Sequence, residues 1–81
     1  MDLIPKTMML DDAITVVRFP ELALILIGQH WLCFTDIEID ALEYLIKNSA
    51  RILLPNVKYL TTEKMALLKK YNGFIDIGIR F

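Results

Sequence analysis

The sequence predicts a small α/β protein built as an array of three stacked helix–strand units, and three observations carry that prediction. A run of 17 residues occurs three times without a gap: DAITVVRFPELALILIG from Asp12 to Gly28, DALEYLIKNSARILLPN from Asp40 to Asn56, and EKMALLKKYNGFIDIGI from Glu63 to Ile79. Within each copy the spacing of the apolar residues changes midway. Ile14 and Val17, Leu42 and Leu45, and Met65 and Leu68 stand three apart, as on one side of a helix. Leu24 and Leu26, Ile52 and Leu54, and Ile75 and Ile77 stand two apart, as on one side of a strand. A helix–strand unit recurring at a fixed period marks a stacked array. The third observation is an apolar content of 56% in 81 residues. A chain this short buries only about 60% of its unfolded surface. The apolar surplus therefore implies a very complete core, a subunit interface, or both.

The chain is one domain, residues 1–81, divided as an N-terminal cap (1–10), a first unit (11–36), a second (37–59) and a third (60–81). In the cap, Pro5 opposes a helix, while Leu3, Ile4, Met8, Met9 and Leu10 can cover the open edge of a core. The first unit has two readings. Asp11 or Asp12 can cap a helix running to Phe19 and ended by Pro20. Alternatively, Ile14, Thr15, Val16 and Val17 form a strand, and Pro20-Glu21 opens a helix through Leu26. The ungapped match to the other copies favours the first reading.

Between units one and two, GQHWLCFTDI stands where NVKYL stands between units two and three, so the first connection is five residues longer. Matching Phe34–Ile37 to Val57–Leu60 leaves Gln29 to Cys33 as an insertion that holds the chain's Trp, His and Cys. In unit two, Thr35-x-x-Glu38 fits a capping box. Ile39, Leu42, Leu45 and Ile46 form an apolar stripe, Glu43 pairs with Lys47 on the far side, and Arg51 to Leu54 is the strand. In unit three, Thr61 or Thr62 caps, Met65, Leu67 and Leu68 face inward, Gly73 stops the helix in a left-handed turn, and Phe74 to Ile77 is the strand. No cap is read after it, which leaves that end of the stack open.

The segment VKYLTTEKMALLKKYNGFIDI, Val57 to Ile77, resembles the short bacterial leucine-rich-repeat-like units of the form L-T-x-L-[ST]-x-E-x-A-x-x-L-x-x-x-x-G-x-L-x-L. Leu60, Thr61, Glu63, Leu68, Gly73, Ile75 and Ile77 carry the match, which is best in unit three and weakest in unit one. The resemblance implies repeats of about 23 residues, wound as a right-handed solenoid with a parallel three-stranded sheet on one side. It also implies a binding surface without catalytic residues. The insertion, Pro20 and the small number of copies depart from the pattern.

Charge and chemistry narrow the function. Residues 1–40 carry seven acids against Lys6 and Arg18, a balance of −5, and residues 41–81 carry seven bases against Glu43, Glu63 and Asp76, a balance of +4. A linear array turns these halves into oppositely charged ends, though acids at helix starts and lysines at helix ends also suit the helix dipole. A lone Cys33 excludes an internal disulfide and fits a reducing, cytoplasmic compartment. MDLIPK has no basic n-region followed by an apolar stretch, so no secretory leader is expected. The longest apolar run, Leu22 to Ile27, is too short to span a membrane.

His30 and Cys33 are the one pairing with thiol or redox potential, and a small α/β thiol enzyme is the alternative function. Two such ligands do not complete a four-ligand metal site, and isolated glycines make no phosphate loop, so no cofactor is expected. Lys58, Lys64, Lys69 and Lys70 with Tyr59 and Tyr71 are the residues to weigh for nucleic acid; the slightly acidic net charge of −1 argues against it. If the aliphatic pairs of the strands face inward, Ile25, Arg51, Leu53, Phe74 and Asp76 face outward. Parallel strands are normally covered on both faces, so this patch, with Trp31 of the insertion, is the expected binding surface. The partner is another protein or a second copy, with a homodimer the expected state.

Overall fold

In the computed structural model, which describes residues 5–19, 21 and 33–79, short strands and helices alternate along the chain. They are β1 (Thr7–Met8), α1 (Leu10–Arg18), β2 (Asp36–Ile37), α2 (Ile39–Asn48), β3 (Arg51–Leu54), α3 (Thr62–Lys69) and β4 (Phe74–Ile77). The protein is thus a small mixed α/β fold. Among the described residues there are two parallel two-stranded sheets, β1–β2 and β3–β4, rather than one sheet of three strands. The expected first strand, with Leu24, Ile25 and Leu26, lies outside the described residues. The second sheet was not foreseen, because two-residue strands carry too few side chains to show an alternation.

A common frame runs through the three units. Helix starts at 10, 39 and 62 lie 29 and 23 residues apart, and the strand starts at 51 and 74 lie 23 apart. Met8, Ile37 and Leu60 each stand two residues before a helix, and all three are buried. The helix starts thus make the first spacing six residues longer than the second, one more than the 17-residue alignment has, because α1 begins one residue earlier than that alignment places it. The expected insertion, Gln29 to Cys33, lies outside the described residues except for Cys33. Ala13 and Val16 are accordingly buried, where Ile14 and Val17 were expected to be; those two are only half-buried. Thr7 and Met8, assigned to the cap, occupy the position that Asp36 and Ile37 hold before α2.

Local chemistry explains the frame. α1 starts after Met9, whose N–H donates to the Asp12 carboxylate at 3.0 Å, so Asp12 acts from inside the first turn rather than as the cap. Thr15 donates its hydroxyl to the Asp11 carbonyl one turn back at 2.8 Å, which satisfies that hydroxyl within a β-branched helical stretch held by packing of Ala13 and Val16 rather than by propensity. The helix ends at Phe19 because the residue before a proline is disfavoured in the α region. In unit one a helix therefore stands where the alternative reading put a strand, at Ile14 to Val17. Glu21 is helical as well, as that alternative expected, and residues 22–32 lie outside the described residues.

α2 follows Glu38 with no side-chain cap. Thr35, expected in a capping box, instead accepts from the Lys6 N–H at 2.9 Å and ties β2 to the segment entering β1. Thr61 does cap α3, accepting from the Lys64 N–H at 3.4 Å. Glu43 and Lys47 do not come within ion-pair distance; Lys64 and Asp36, at 3.6 Å, form the salt bridge between α3 and β2.

Gly73 is not a left-handed helix stop. α3 already ends at Lys70 in the α region, and the Gly73 φ lies outside the left-handed range. A Cβ there would collide with the Tyr71 hydroxyl and stand 2.6 Å from the Ala50 carbonyl oxygen, so glycine is needed for close approach.

Packing completes the scaffold. α2 lies between α1 and α3 and also packs on β3. Its Ala41, Leu42 and Leu45 are fully buried with Phe34, Ile37, Ile52, Leu54 and Val57. Burying an aliphatic side chain of this size stabilises by about 1.5–3 kcal/mol, so among the described residues the middle unit contributes most of the core.

Candidate functional site on the β3–β4 sheet

Strand alternation decides which side chains the sheet presents. Ile52 and Leu54 of β3 are fully buried, and their partners Ile75 and Ile77 of β4 are half-buried against the same core. Arg51 and Leu53 alternate with them and are paired in register with Phe74 and Asp76. These four residues therefore form one outward face, as expected from the two-residue spacing. Phe74 is 63% exposed, Arg51 and Asp76 are exposed, and Leu53 is half-buried. The result is an apolar pair, Leu53 and Phe74, set diagonally between a cation and an anion.

The frame around this face is well fixed. The Phe74 N–H donates to the Ala50 carbonyl at 3.2 Å, which starts the ladder. The Tyr71 hydroxyl donates to the Ser49 carbonyl at 2.7 Å, closing the turn that leads into β4 onto the turn that leads into β3. Burial raises the Tyr71 hydroxyl pKa above its ordinary value, and that hydrogen bond from the protonated form acts in the same sense. At the other end, Gly78 donates to the Val57 carbonyl at 3.0 Å, and a Cβ there would press on the Pro55 oxygen at 2.7 Å.

The other candidates fall elsewhere. Ile25, His30 and Trp31 lie outside the described residues. Cys33 is half-buried beside the core, and its thiol pKa is raised chiefly by burial, with Asp12 adding and Lys6 and a backbone hydrogen bond opposing. That is the opposite of the lowered pKa that activates a cysteine nucleophile. Among the described residues, no three His, Cys, Asp or Glu side chains are arranged to hold a metal ion. Of the residues weighed for nucleic acid, Lys64 is engaged with Asp36 and Tyr71 with Ser49, whereas Tyr59 is 81% exposed. No described helix is long and apolar enough to cross a membrane.

Sequence reasoning missed one surface feature. An open groove where α1 begins beside α2 is lined by Leu10, Asp40, Glu43, Tyr44, Lys47 and Asn48. Its only sequence signal was Leu10, an apolar residue at the first turn of a helix that the 17-residue alignment left outside the repeat. No protein-family model, curated protein or solved structure matches the chain.

Proposed function

We propose that this protein is a non-enzymatic interaction module, a short leucine-rich-repeat-like solenoid that works in the cytoplasm. It binds a protein partner or a second copy of itself through the outward face of β3–β4. The carrying observation is the 63% exposure of Phe74 on the outward face of a parallel sheet, where the other apolar side chains of the described strands, Leu53 included, pack into or against the core. A large aromatic side chain rimmed by a cation and an anion has the composition of an interface centre. The equal 23-residue offsets of the helices and strands in units two and three support a wound array. The raised thiol of Cys33 speaks for this reading over a thiol enzyme using Cys33 and His30.

The experiment is Phe74→Ser. It should leave the helix content and cooperative unfolding intact while weakening self-association or partner capture about tenfold or more. Association unchanged by Phe74→Ser would reject the face as the binding surface.

A further inference from the structure

The outward face ends at a strand edge, and that edge has its own chemistry. The bond from the Phe74 N–H to the Ala50 carbonyl sets the phase of the ladder. In a parallel pair, Phe74 and Asp76 then turn their N–H and C=O groups toward β3, and Ile75 and Ile77 turn theirs away. Among the described residues no strand lies along that far edge of β4. Exposed edges are usually guarded by lysine, proline, a bulge or an inward-pointing charge. The sequence Phe-Ile-Asp-Ile has none of these, and its one charge, Asp76, sits on the outward face. The inward side chains at the edge are also underused: Ile75 and Ile77 are half-buried where their β3 partners Ile52 and Leu54 are fully buried.

We propose that β4 pairs antiparallel with β4 of a second copy about a two-fold axis at Ile75, joining the two β3–β4 sheets into one. This deepens the self-association part of the function proposed above and rests on it. Charge selects the occupant and the register. Centring the axis on Asp76 would set two carboxylates directly opposite each other, which is unfavourable. Centring it on Ile75 sets Phe74 opposite the second copy's Asp76. Across the outward face the order becomes Arg51, Phe74, Asp76 and Leu53, the last two from the second copy. Arg51 can then reach over Phe74 to a carboxylate, and by symmetry this happens twice. An isologous pair of this kind closes at two subunits. The Ile75 N–H donates to the second copy's Ile75 carbonyl, and the inward isoleucines meet across the axis.

The test is amide hydrogen exchange on the full chain over a dilution series, with sedimentation equilibrium on the same samples. The expected result is a dimer in which the Ile75 amide is protected at high concentration and exposed on dilution, while the Phe74 and Asp76 amides stay protected throughout. Ile75→Pro removes an edge donor without touching the β3–β4 ladder, and should weaken the dimer about tenfold or more. Arg51→Asp should also weaken it, and Arg51→Asp combined with Asp76→Arg should restore it. A dimer whose Ile75 amide exchanges equally fast at all concentrations overturns edge pairing but leaves self-association standing. A monomer at every concentration overturns both. The unsubstituted chain decides between these outcomes even if Ile75→Pro fails to fold.

Discussion

Leu53 and Leu54 are neighbours of the same type with different surroundings, and they put the strand assignment at risk most directly. Leu54 is fully buried and Leu53 half-buried on the outward face. Leu54→Lys should abolish cooperative folding, because an unpaired buried charge costs several kcal/mol, about the whole stability of a small domain. Leu53→Lys should keep a cooperative thermal transition and lose association. Two equally unfolded variants would show that the outward face is covered from within.

Tyr71 and Gly73 make a second test at the same scale. Gly73→Ala should destabilise by about 1–3 kcal/mol in urea, since the Ala50 carbonyl is backbone and cannot easily yield. Because the Tyr71 pKa is raised in the folded state, its contribution is fully present below the ordinary tyrosine value of 10.0. It is lost as pH rises through the higher folded value. The unsubstituted protein should therefore lose stability above about pH 10 more steeply than Tyr71→Phe in the same titration.

Among the elements, β3, α2, α3 and β4 were legible in the sequence because each repeats a pattern several residues long. Ile52 and Leu54 announce the inward face of β3, and Leu42 and Leu45 the inward face of α2. The small errors have local causes. The first unit slipped by one residue because Asp12 aligns with Asp40 and Glu63 by type, although its carboxylate serves a helix start three residues before it. Thr35 looks like a cap because a box needs only a Thr and a Glu at the right spacing. Its actual partner, Lys6, is 29 residues away, and no local pattern reveals it. Of the expected binding residues, Arg51, Leu53, Phe74 and Asp76 could be read from strand alternation, while Ile25 and Trp31 lie outside the described residues.

The two threonines should respond differently to alanine. Thr61→Ala removes a true cap and should lower stability by about 1 kcal/mol. Thr35→Ala should leave the start of α2 unchanged and speed amide exchange at Lys6, because β1–β2 loses its tie. Faster exchange in the first turn of α2 instead would restore the capping role.

For the whole molecule, the charge division and the apolar face make different demands on assembly. The acidic N-terminal half and basic C-terminal half attract head to tail, an arrangement that can continue into filaments. Exposed charges more than about 8–10 Å apart are largely screened at physiological ionic strength, so this attraction alone does not hold subunits together. Apolar contact along the β4 edge, between the half-buried isoleucines and between Phe74 and the stem of the Arg51 that reaches over it, must supply most of the affinity, which favours a closed dimer. Sedimentation equilibrium over a wide range of protein concentration, at low and at high salt, tests this most directly. The expected result is a dimer whose dissociation changes little with salt; a strict monomer at the highest concentration, or a mass that keeps growing at low salt, would contradict a closed dimer held by apolar burial.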